Sequence, residues 1–183
     1  MTRQNDPPKT ERAHEIEPEA HRLTDDEIFP NNERLPLLVY PNAVPLPDQD
    51  PASAFEKRFA ENGWSGSWRN GIFTYHHYHS TAHEALGVYR GTARVRLGGD
   101  NGIERSLGPG DVVVIPAGVA HKNLESSSDF GVVGAYPGGK GPDMNYGDPE
   151  ERPAADRNIE QVPLPDKDPA LGENGPLRRL WTV

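Results

Sequence analysis

Short apolar runs alternate with Gly-bearing turns through the middle of the chain. The runs are rich in Val, Ile, Tyr, Thr and Phe: IFTYHHYH, EALGVYR, TARVRLG, DVVVIP, VAHKN and FGVVGAY, all between residues 64 and 136. Turn dipeptides mark corners between them: Gly98-Gly99, Asn101-Gly102 and Pro109-Gly110. Short strands at this spacing are typical of an all-β sandwich or barrel rather than of βαβ units.

Two further segments precede these runs. LPLLVY at 35–40 predicts a short strand that lies against the core. DPASAFEKRFAENG at 50–63 predicts one helix near 51–62, with Asp50 as N-cap, Pro51 at the first helical position and Gly63 as the stop. Phe55 and Phe59 form a narrow apolar stripe one turn apart, so the helix should pack on the outside of the β domain.

The two ends of the chain differ from the middle in amino-acid composition. Only 34% of the residues are apolar, the mean hydropathy is −0.77, and Gly and Pro number 19 each. Residues 1–34 are polar and lack sustained periodicity, which predicts a mostly disordered or docking N-terminal arm. We therefore expect a β domain over 35–140 and a Pro/Gly-rich C-terminal extension over 141–183, in which the loop at 137–147 either covers a pocket or runs over the surface.

A nine-residue passage occurs twice. VPLPDQDPA at 44–52 returns as VPLPDKDPA at 162–170, identical at eight of nine positions. One interpretation is that both copies are extended Pro-rich strands that lead into an Asp-Pro helix start. The other is that the copies pair side by side at an edge of the domain, within one chain or by exchange across a dimer axis.

Charge and composition limit the partners. The net charge of −9 divides into −4 for residues 1–34, −1 for 35–140 and −4 for 141–183. Without a basic stripe, nucleic acid and an anionic membrane surface are unlikely partners, and a small ligand or another protein is favoured. The chain has no cysteine, and its opening residues contain no apolar run of signal-peptide type, so we expect a cytoplasmic protein.

A histidine cluster carries the candidate chemistry. In YHHYHSTAHE at 75–84, strand alternation would place His77 and His79 on one face with Tyr75 and Phe73. The turn STAH would then return the chain and bring Glu84 to the same face. If the hairpin containing GDVVVIPAGVAH lies alongside, His121 joins them, and three imidazoles and one carboxylate can surround a divalent ion.

The spacing of these residues resembles the two motifs of the cupin superfamily. The first motif matches Gly71, five residues, His77-Tyr78-His79, four residues, Glu84, six residues and Gly91; the second matches Gly110, five residues, Pro116-Ala117-Gly118, two residues and His121. HYHSTAHE, GVAHKN and the Pro-rich tail resemble single-domain bacterial cupins of the YjlB type. One departure is Glu125, where the family often has an asparagine that is not a metal ligand; the asparagine here is Asn123.

The resemblance implies a double-stranded β-helix, that is a small β-barrel or jelly roll, with one or two short flanking helices and extended Pro-rich arms. It implies metal ligands at His77, His79, Glu84 and His121. Histidine with one carboxylate suits one divalent Fe, Mn, Ni, Co or Zn ion. An octahedral ion with four protein ligands keeps two positions for water, substrate or dioxygen.

The other histidines are less suited to the site. His76 should face away, at an outer face or an interface, together with Tyr78. His83 should face outward, with a place at the pocket rim or as an alternative ligand as the second possibility, and His14 and His21 should be solvated in the arm. Tyr75 is the candidate catalytic residue, presenting its hydroxyl to a substrate; the alternative is an aromatic core position.

The strongest hypothesis for function is a metal-dependent oxidoreductase of mononuclear Fe(II) dioxygenase type that acts on a small oxygenated molecule. A metal-dependent isomerase is the nearest alternative, although no acid–base pair outside the ligand set is visible in the sequence. A non-catalytic ligand-binding or sensing cupin and a metal-free storage-like cupin are further alternatives. No helix-turn-helix segment is visible, and the exposed sheet edges of a cupin barrel favour a homodimer.

Overall fold

A computed structural model describes residues 16–182, which form nine strands and three α-helices. The strands are β1 (Glu19–Leu23), β2 (Asn32–Tyr40), β3 (Trp64–Asn70), β4 (Glu84–Arg90), β5 (Ala93–Leu97), β6 (Ile103–Leu107), β7 (Val112–Ile115), β8 (His121–Ser126) and β9 (Gly131–Pro137). The helices are α1 (Pro51–Glu61), α2 (Ala154–Gln161) and α3 (Leu177–Leu180), with a 3-10 turn over Pro149–Glu151.

The strands form two antiparallel sheets that face each other. The larger sheet has the order β1-β2-β7-β4-β9-β3 and the smaller one the order β6-β5-β8. Side chains alternate between the inside and the outside of the barrel along each strand: in β5, Ala93, Val95 and Leu97 are buried, while Arg94 and Arg96 face outward. The inner cluster of apolar side chains from both sheets is the core of the barrel.

A second core covers the outer face of the larger sheet. Helix α1 places Phe55 and Phe59, both fully buried, against this face, and Trp181 from the C-terminal segment packs beside them. Gly87 in β4 makes the contact possible, because a Cβ there would lie 2.3 Å from the ring of Phe55. The central strands of the larger sheet are therefore buried on both faces, which explains their nearly continuous apolar sequences.

Helix α1 confirms the predicted segment but not the predicted cap. The carboxylate of Asp50 makes no hydrogen bond to the helix N-terminus, and its backbone lies in the left-handed region. Instead, Asp50 binds Arg69 of β3 at 2.8 Å, while Glu56 binds the same guanidinium at 2.6 Å. Gly63, with a φ of +80°, follows the helix and donates its N–H to the carbonyl of Ala60.

The predicted strand IFTYHHYH is wrong. Residues 71–79 contain only isolated bridges, in which His77 pairs with His121 and Tyr78 pairs with Asn145. The segment crosses from the larger sheet to the smaller one, so its backbone bonds successively to different partners and forms no continuous ladder. Strands β1, β3 and β6 were not predicted from the sequence, because each is polar on its exposed side.

The terminal regions are largely packed against the domain. In the predicted arm, residues 1–15, with His14, lie outside the described range, whereas residues 16–34 contain β1 and the start of β2. Because β1 pairs with β2, this part of the arm is docked rather than disordered. His21, expected to be solvated, lies in β1 and approaches Arg105 of β6 at 3.0 Å, and Glu19 of β1 accepts a hydrogen bond from the same guanidinium.

Both copies of the repeated passage pack against the outer core. Val44 and Leu46 of the first copy and Leu164 and Ala170 of the second belong to the same apolar cluster. No backbone hydrogen bond joins the two passages, all of whose residues are described. The first copy leads into α1 as predicted, but the second enters a tight turn in which Asp168 accepts hydrogen bonds from the following backbone.

No helix within residues 16–182 combines the length and the apolar character that crossing a membrane requires.

Candidate metal centre

The four side chains that the sequence selects meet at one end of the barrel, between the two sheets. Glu84 is the first residue of β4 in the larger sheet, and His121 is the first residue of β8 in the smaller one. His77 and His79 belong to the segment that crosses between the sheets and reach the centre from the side. Three separate parts of the fold thus define the position of the site.

The side chains are close together and buried. Each of the three histidines, His77, His79 and His121, places one ring nitrogen within 4.8 Å of a ring nitrogen of the other two. The Oε2 atom of Glu84 lies 3.3 Å from Nε2 of His79 and 3.2 Å from Nε2 of His121, and the glutamate is only 3% exposed. The structure therefore brings the predicted set together.

Backbone carbonyls determine which nitrogen of each ring faces the centre. Each Nδ1 lies within hydrogen-bond distance of a carbonyl oxygen: His77 to Tyr75 at 3.1 Å, His79 to Asp143 at 2.6 Å and His121 to Val119 at 3.1 Å. Because a carbonyl only accepts hydrogen bonds, each Nδ1 carries the proton. In the neutral ring Nε2 then presents a lone pair, as a metal-ligating histidine does.

The electrostatics of the cluster call for a cation. Burial, followed by the neighbouring His121, lowers the pKa of His77 to about 3. Burial acts to raise the pKa of Glu84, but the adjacent imidazoles of His121 and His79 outweigh it and hold that pKa well below its usual range. Burial likewise acts to lower the pKa of His79, but the Glu84 carboxylate outweighs it and raises that pKa. The carboxylate is thus charged at neutral pH, and a proton or a metal ion must balance it.

The donor set fits a divalent transition metal. Oε2 of Glu84 is buried without a hydrogen-bond donor, although two imidazole nitrogens are near it. Three imidazole nitrogens and one carboxylate oxygen suit Fe(II), Mn(II), Co(II), Ni(II) or Zn(II), and affinity alone does not select among these ions.

A small cavity opens beside the cluster. Its volume is about 250 Å³, and its walls are mainly apolar: Trp68, Ile72, Phe73, Leu86, Tyr136 and Met144. No lysine or arginine is among the described residues that line it. At about 30 Å³ for each water molecule, the space corresponds to roughly eight waters, so a ligand inside it must be small.

The loop at 137–147 borders this cavity. Met144 lines the wall, and Asn145 pairs with Tyr78 through backbone hydrogen bonds of 2.9 and 3.0 Å. The carboxylate of Asp143 accepts hydrogen bonds from the backbone and hydroxyl groups of Ser80 and Thr81. The loop is therefore tied to the turn that follows His79.

Tyr75 has a different place from the one expected. Its ring is 45% exposed, stacks on Phe73 at 5.0 Å and meets the edge of His77 at 5.9 Å. The reason is that residues 71–79 form no continuous strand, so the alternation that holds for His76, His77 and His79 does not extend back to Tyr75. Tyr75 stands at the mouth and not in the cavity wall, and its catalytic role stays a prediction.

Tyr136 is a cavity residue that the sequence did not single out. It lies on β9, where its buried hydroxyl accepts a 2.7 Å hydrogen bond from Nε1 of Trp68. Burial and the charge of Glu84 raise the pKa of its hydroxyl. The alternation of FGVVGAY could have indicated its inward direction, because Tyr136 has the same parity as the inner-core residue Val132.

The remaining histidines lie outside the cluster. His76 points away from it as predicted, packs on Phe29 with 5.1 Å between ring centroids and bonds to Asp100 at 2.9 Å. His83 lies outside the cluster as expected, but its ring is only 1% exposed. His83 faces the outer side of the larger sheet, but the C-terminal segment covers this side: its ring contacts Trp181 at 4.7 Å and its Nδ1 accepts from the N–H of Ala117.

Asn123, beside the departure from the family motif at Glu125, is buried in β8. Its amide donates to the hydroxyl of Ser126 at 2.9 Å, and its backbone N–H donates to the carbonyl of Phe73 at 2.8 Å. It therefore holds the crossing segment to the smaller sheet, without reaching the ligand set.

Comparisons with known proteins agree with this architecture. The family model described as "Cupin domain" matches residues 69–129. The chain is 45% identical over 167 residues to the uncharacterised protein YjlB of Bacillus subtilis (strain 168), covering 91% of this chain and 98% of that one. The chain thus belongs to the cupin family. Within it, the chain is a single-domain bacterial cupin of the YjlB type.

Solved structures with a similar fold include enzymes and storage globulins. Acireductone dioxygenase from Bacillus anthracis, with a cadmium ion in its active centre, is 19% identical with a TM-score of 0.39, covering 55% of this chain and 76% of that one. Procruciferin, an 11S globulin from Brassica napus, is 18% identical with a TM-score of 0.36, covering 62% of this chain; the match spans 23% of the globulin.

Proposed function

We propose that the chain is a mononuclear metal-dependent enzyme of dioxygenase-like oxidoreductase type that acts on a small oxygen-containing molecule. The observation that carries the proposal is the convergence of three imidazole Nε2 lone pairs and one buried carboxylate beside a small, mainly apolar cavity. His77, His79, Glu84 and His121 would hold the ion. A bound Fe(II) would supply Lewis acidity and one-electron chemistry toward dioxygen.

The protein residues position the metal ligands and exclude water from the metal centre. Three backbone carbonyls orient the imidazoles, so the ligand set is organised before any ion arrives. The apolar walls keep bulk water from the centre and favour the apolar part of a substrate. The volume of about 250 Å³ restricts that substrate to a small molecule.

The cavity favours oxygen chemistry over isomerisation. Isomerisation requires a base that moves a proton and is not itself a metal ligand. Apart from the proposed ligands, Tyr136 is the one titratable side chain among the described residues of the cavity wall. Its raised pKa makes the phenol a poor base at neutral pH.

Oxygen consumption tests this proposal. The protein would be stripped of metal and loaded without oxygen with Fe(II), Mn(II), Co(II), Ni(II) or Zn(II), then mixed with oxygenated buffer and a panel of small hydroxy acids, diketones and catechols. We expect substrate-dependent oxygen uptake with Fe(II), and none with the metal-free protein or with His121→Ala. Tight ligand binding without turnover under every metal would instead support the ligand-binding module, and isomer formation without oxygen would support the isomerase.

The homodimer also stays a proposal. Strands β1 and β3 are the two edges of the larger sheet, and an unpaired edge favours pairing with another copy. Light scattering coupled to size exclusion would distinguish a dimer from a monomer.

A further inference from the structure

Tyr136 contributes a hydroxyl group to the cavity wall, and this group is suited to bind a substrate. It lies on β9, and its ring meets the edge of His79 with 6.3 Å between centroids. The side chain is 7% exposed and lines the same cavity as the proposed ligands. The hydroxyl therefore faces the space in which a molecule bound at the ion would sit.

The pairing of β3 with β9 positions a partner for this hydroxyl. Trp68 is opposite Gly134, and a Cβ at position 134 would lie 2.2 Å from the indole. The indole thus packs directly against the glycine and reaches Tyr136, two residues further along the same face of β9. Its Nε1 donates to the tyrosine hydroxyl at 2.7 Å.

This contact fixes the direction of the hydrogen bonds. An indole N–H only donates, so the oxygen of Tyr136 is the acceptor, and the proton of its own hydroxyl must be directed elsewhere. Among the described residues no acceptor lies within hydrogen-bond distance of that proton; the Glu84 carboxylate is near enough to raise the pKa of the hydroxyl, but its Oε2 accepts no hydrogen bond. Tyr136 thus has one donor unused, and it is buried beside the metal cluster.

We propose that Tyr136 donates this hydrogen bond to an oxygen of the molecule bound in the cavity. Trp68 acts as a positioning residue that orients the tyrosine hydroxyl. This inference rests on the proposed metal-dependent function and narrows its substrate class. The substrate carries two oxygen functions within reach of each other, one for the ion and one acceptor for Tyr136, as in a carboxylate or an α-oxygenated carbonyl compound.

The rest of the wall limits what else the substrate carries. Because no lysine or arginine lines the cavity among the described residues, a second anionic group would be desolvated without a counter-charge. The body of the substrate therefore contacts apolar residues such as Ile72 and Leu86.

Ligand binding to the Co(II)-loaded protein tests the proposal without turnover. Acetate has a second oxygen for Tyr136, whereas imidazole binds a metal through nitrogen and leaves no oxygen acceptor; the visible spectrum of cobalt reports both. In Tyr136→Phe we expect acetate affinity to fall about tenfold or more, as for a lost hydrogen bond to a charged group, with imidazole affinity and cobalt content unchanged. Tyr89→Phe, the same change on the outer side of the sheet, should bind acetate as the native protein does.

Trp68→Phe gives a second, independent variant. It keeps the tyrosine but removes the indole N–H, so acetate affinity should fall by less than in Tyr136→Phe, again with imidazole unaffected. Equal acetate affinity in the native protein and Tyr136→Phe would overturn the inference. A parallel fall in acetate affinity, imidazole affinity and cobalt content would also overturn it, because the tyrosine would then support the Glu84 carboxylate rather than the bound molecule. If cobalt does not bind the native protein, the proposed function itself fails.

Discussion

The imidazole of His79 donates a 2.6 Å hydrogen bond from Nδ1 to the backbone carbonyl of Asp143. This contact joins a proposed metal ligand to a loop 64 residues further along the chain. The carboxylate of the same Asp143 accepts from the backbone N–H groups of Ser80 and Thr81 and from both hydroxyls. One residue therefore fixes both the ring orientation of His79 and the turn beyond it.

Removal of the Asp143 carboxylate should therefore weaken metal binding. In Asp143→Ala the loop loses its hydrogen bonds to the turn at 80–81, and the carbonyl that orients His79 is no longer held in place. Residues that orient metal ligands typically contribute 10- to 100-fold in affinity, and we expect a loss of about that size. Competition with a chromophoric chelator measures it. The matched control is Asp48→Ala, in the exposed segment before α1, which should leave the affinity unchanged.

The four proposed ligands should account for bound metal, and their neighbours should not. Elemental analysis after loading and dialysis should give one equivalent for the native protein and much less than one for the single alanine variants of His77, His79, Glu84 and His121. His76→Ala is the matched control, because this ring is adjacent in sequence but contacts Phe29 and Asp100 instead. Full metal content in a combined variant of all four residues would contradict the proposed site.

Metal affinity should increase with pH across the neutral range. Glu84 raises the pKa of His79, so the ring holds a proton that an incoming metal ion must displace. That proton stabilises the metal-free fold below about pH 6.5, the ordinary pKa of histidine, and the contribution is lost as pH rises through the raised value. Thermal unfolding should thus show metal-free protein losing stability as the pH rises above about 6.5, while the gain from added Co(II) grows. Glu84→Gln should abolish most of that slope.

The proposed ligand set could be predicted from the sequence because it depends on the number of residues between the ligands. His77, His79 and Glu84 are separated by a short turn, and His121 follows the Pro116-Ala117-Gly118 corner, so local geometry nearly determines their convergence. Tyr136 could not be selected in this way. Its role depends on Trp68, which is 68 residues away and lies on an edge strand with few apolar residues.

Other differences between the sequence-based expectation and the structure arise from tertiary contacts that the sequence pattern does not show. Alternation correctly separates His83 from the cluster, but it does not reveal that Trp181 packs on the outer face of the larger sheet and buries that ring. The crossing segment at 71–79 is rich in residues that favour strands, yet it forms none because it passes between two sheets. In both cases tertiary contacts override a local preference.

The contact between α1 and β4 should depend on the absence of a side chain at position 87. A Cβ on Gly87 would lie 2.3 Å from the Phe55 ring, so Gly87→Ala must displace the helix or strain the ring. Such overpacking typically costs about 1–3 kcal/mol of unfolding free energy. Urea denaturation measures the loss. Gly108→Ala is the matched control, because no atom lies within 4 Å of the position of its Cβ, and it should change stability little.

The two copies of the repeated passage should differ sharply in their contribution to stability. Asp168 in the second copy is fully buried and accepts hydrogen bonds from the Tyr40 hydroxyl and from the N–H groups of Ala170, Leu171 and Leu177. Its counterpart Asp50 instead forms an exposed ion pair with Arg69.

Asp168→Asn places an amide N–H₂ against groups that can only donate or already donate, so we expect a loss of about 3 kcal/mol in unfolding free energy. Asp50→Asn should cost less than about 1 kcal/mol, as for other surface ion pairs. Because the two variants make the same chemical change within nearly the same nine residues, urea denaturation compares the environments directly. Equal losses would show that the hydrogen bonds of Asp168 contribute no more to stability than a surface ion pair does.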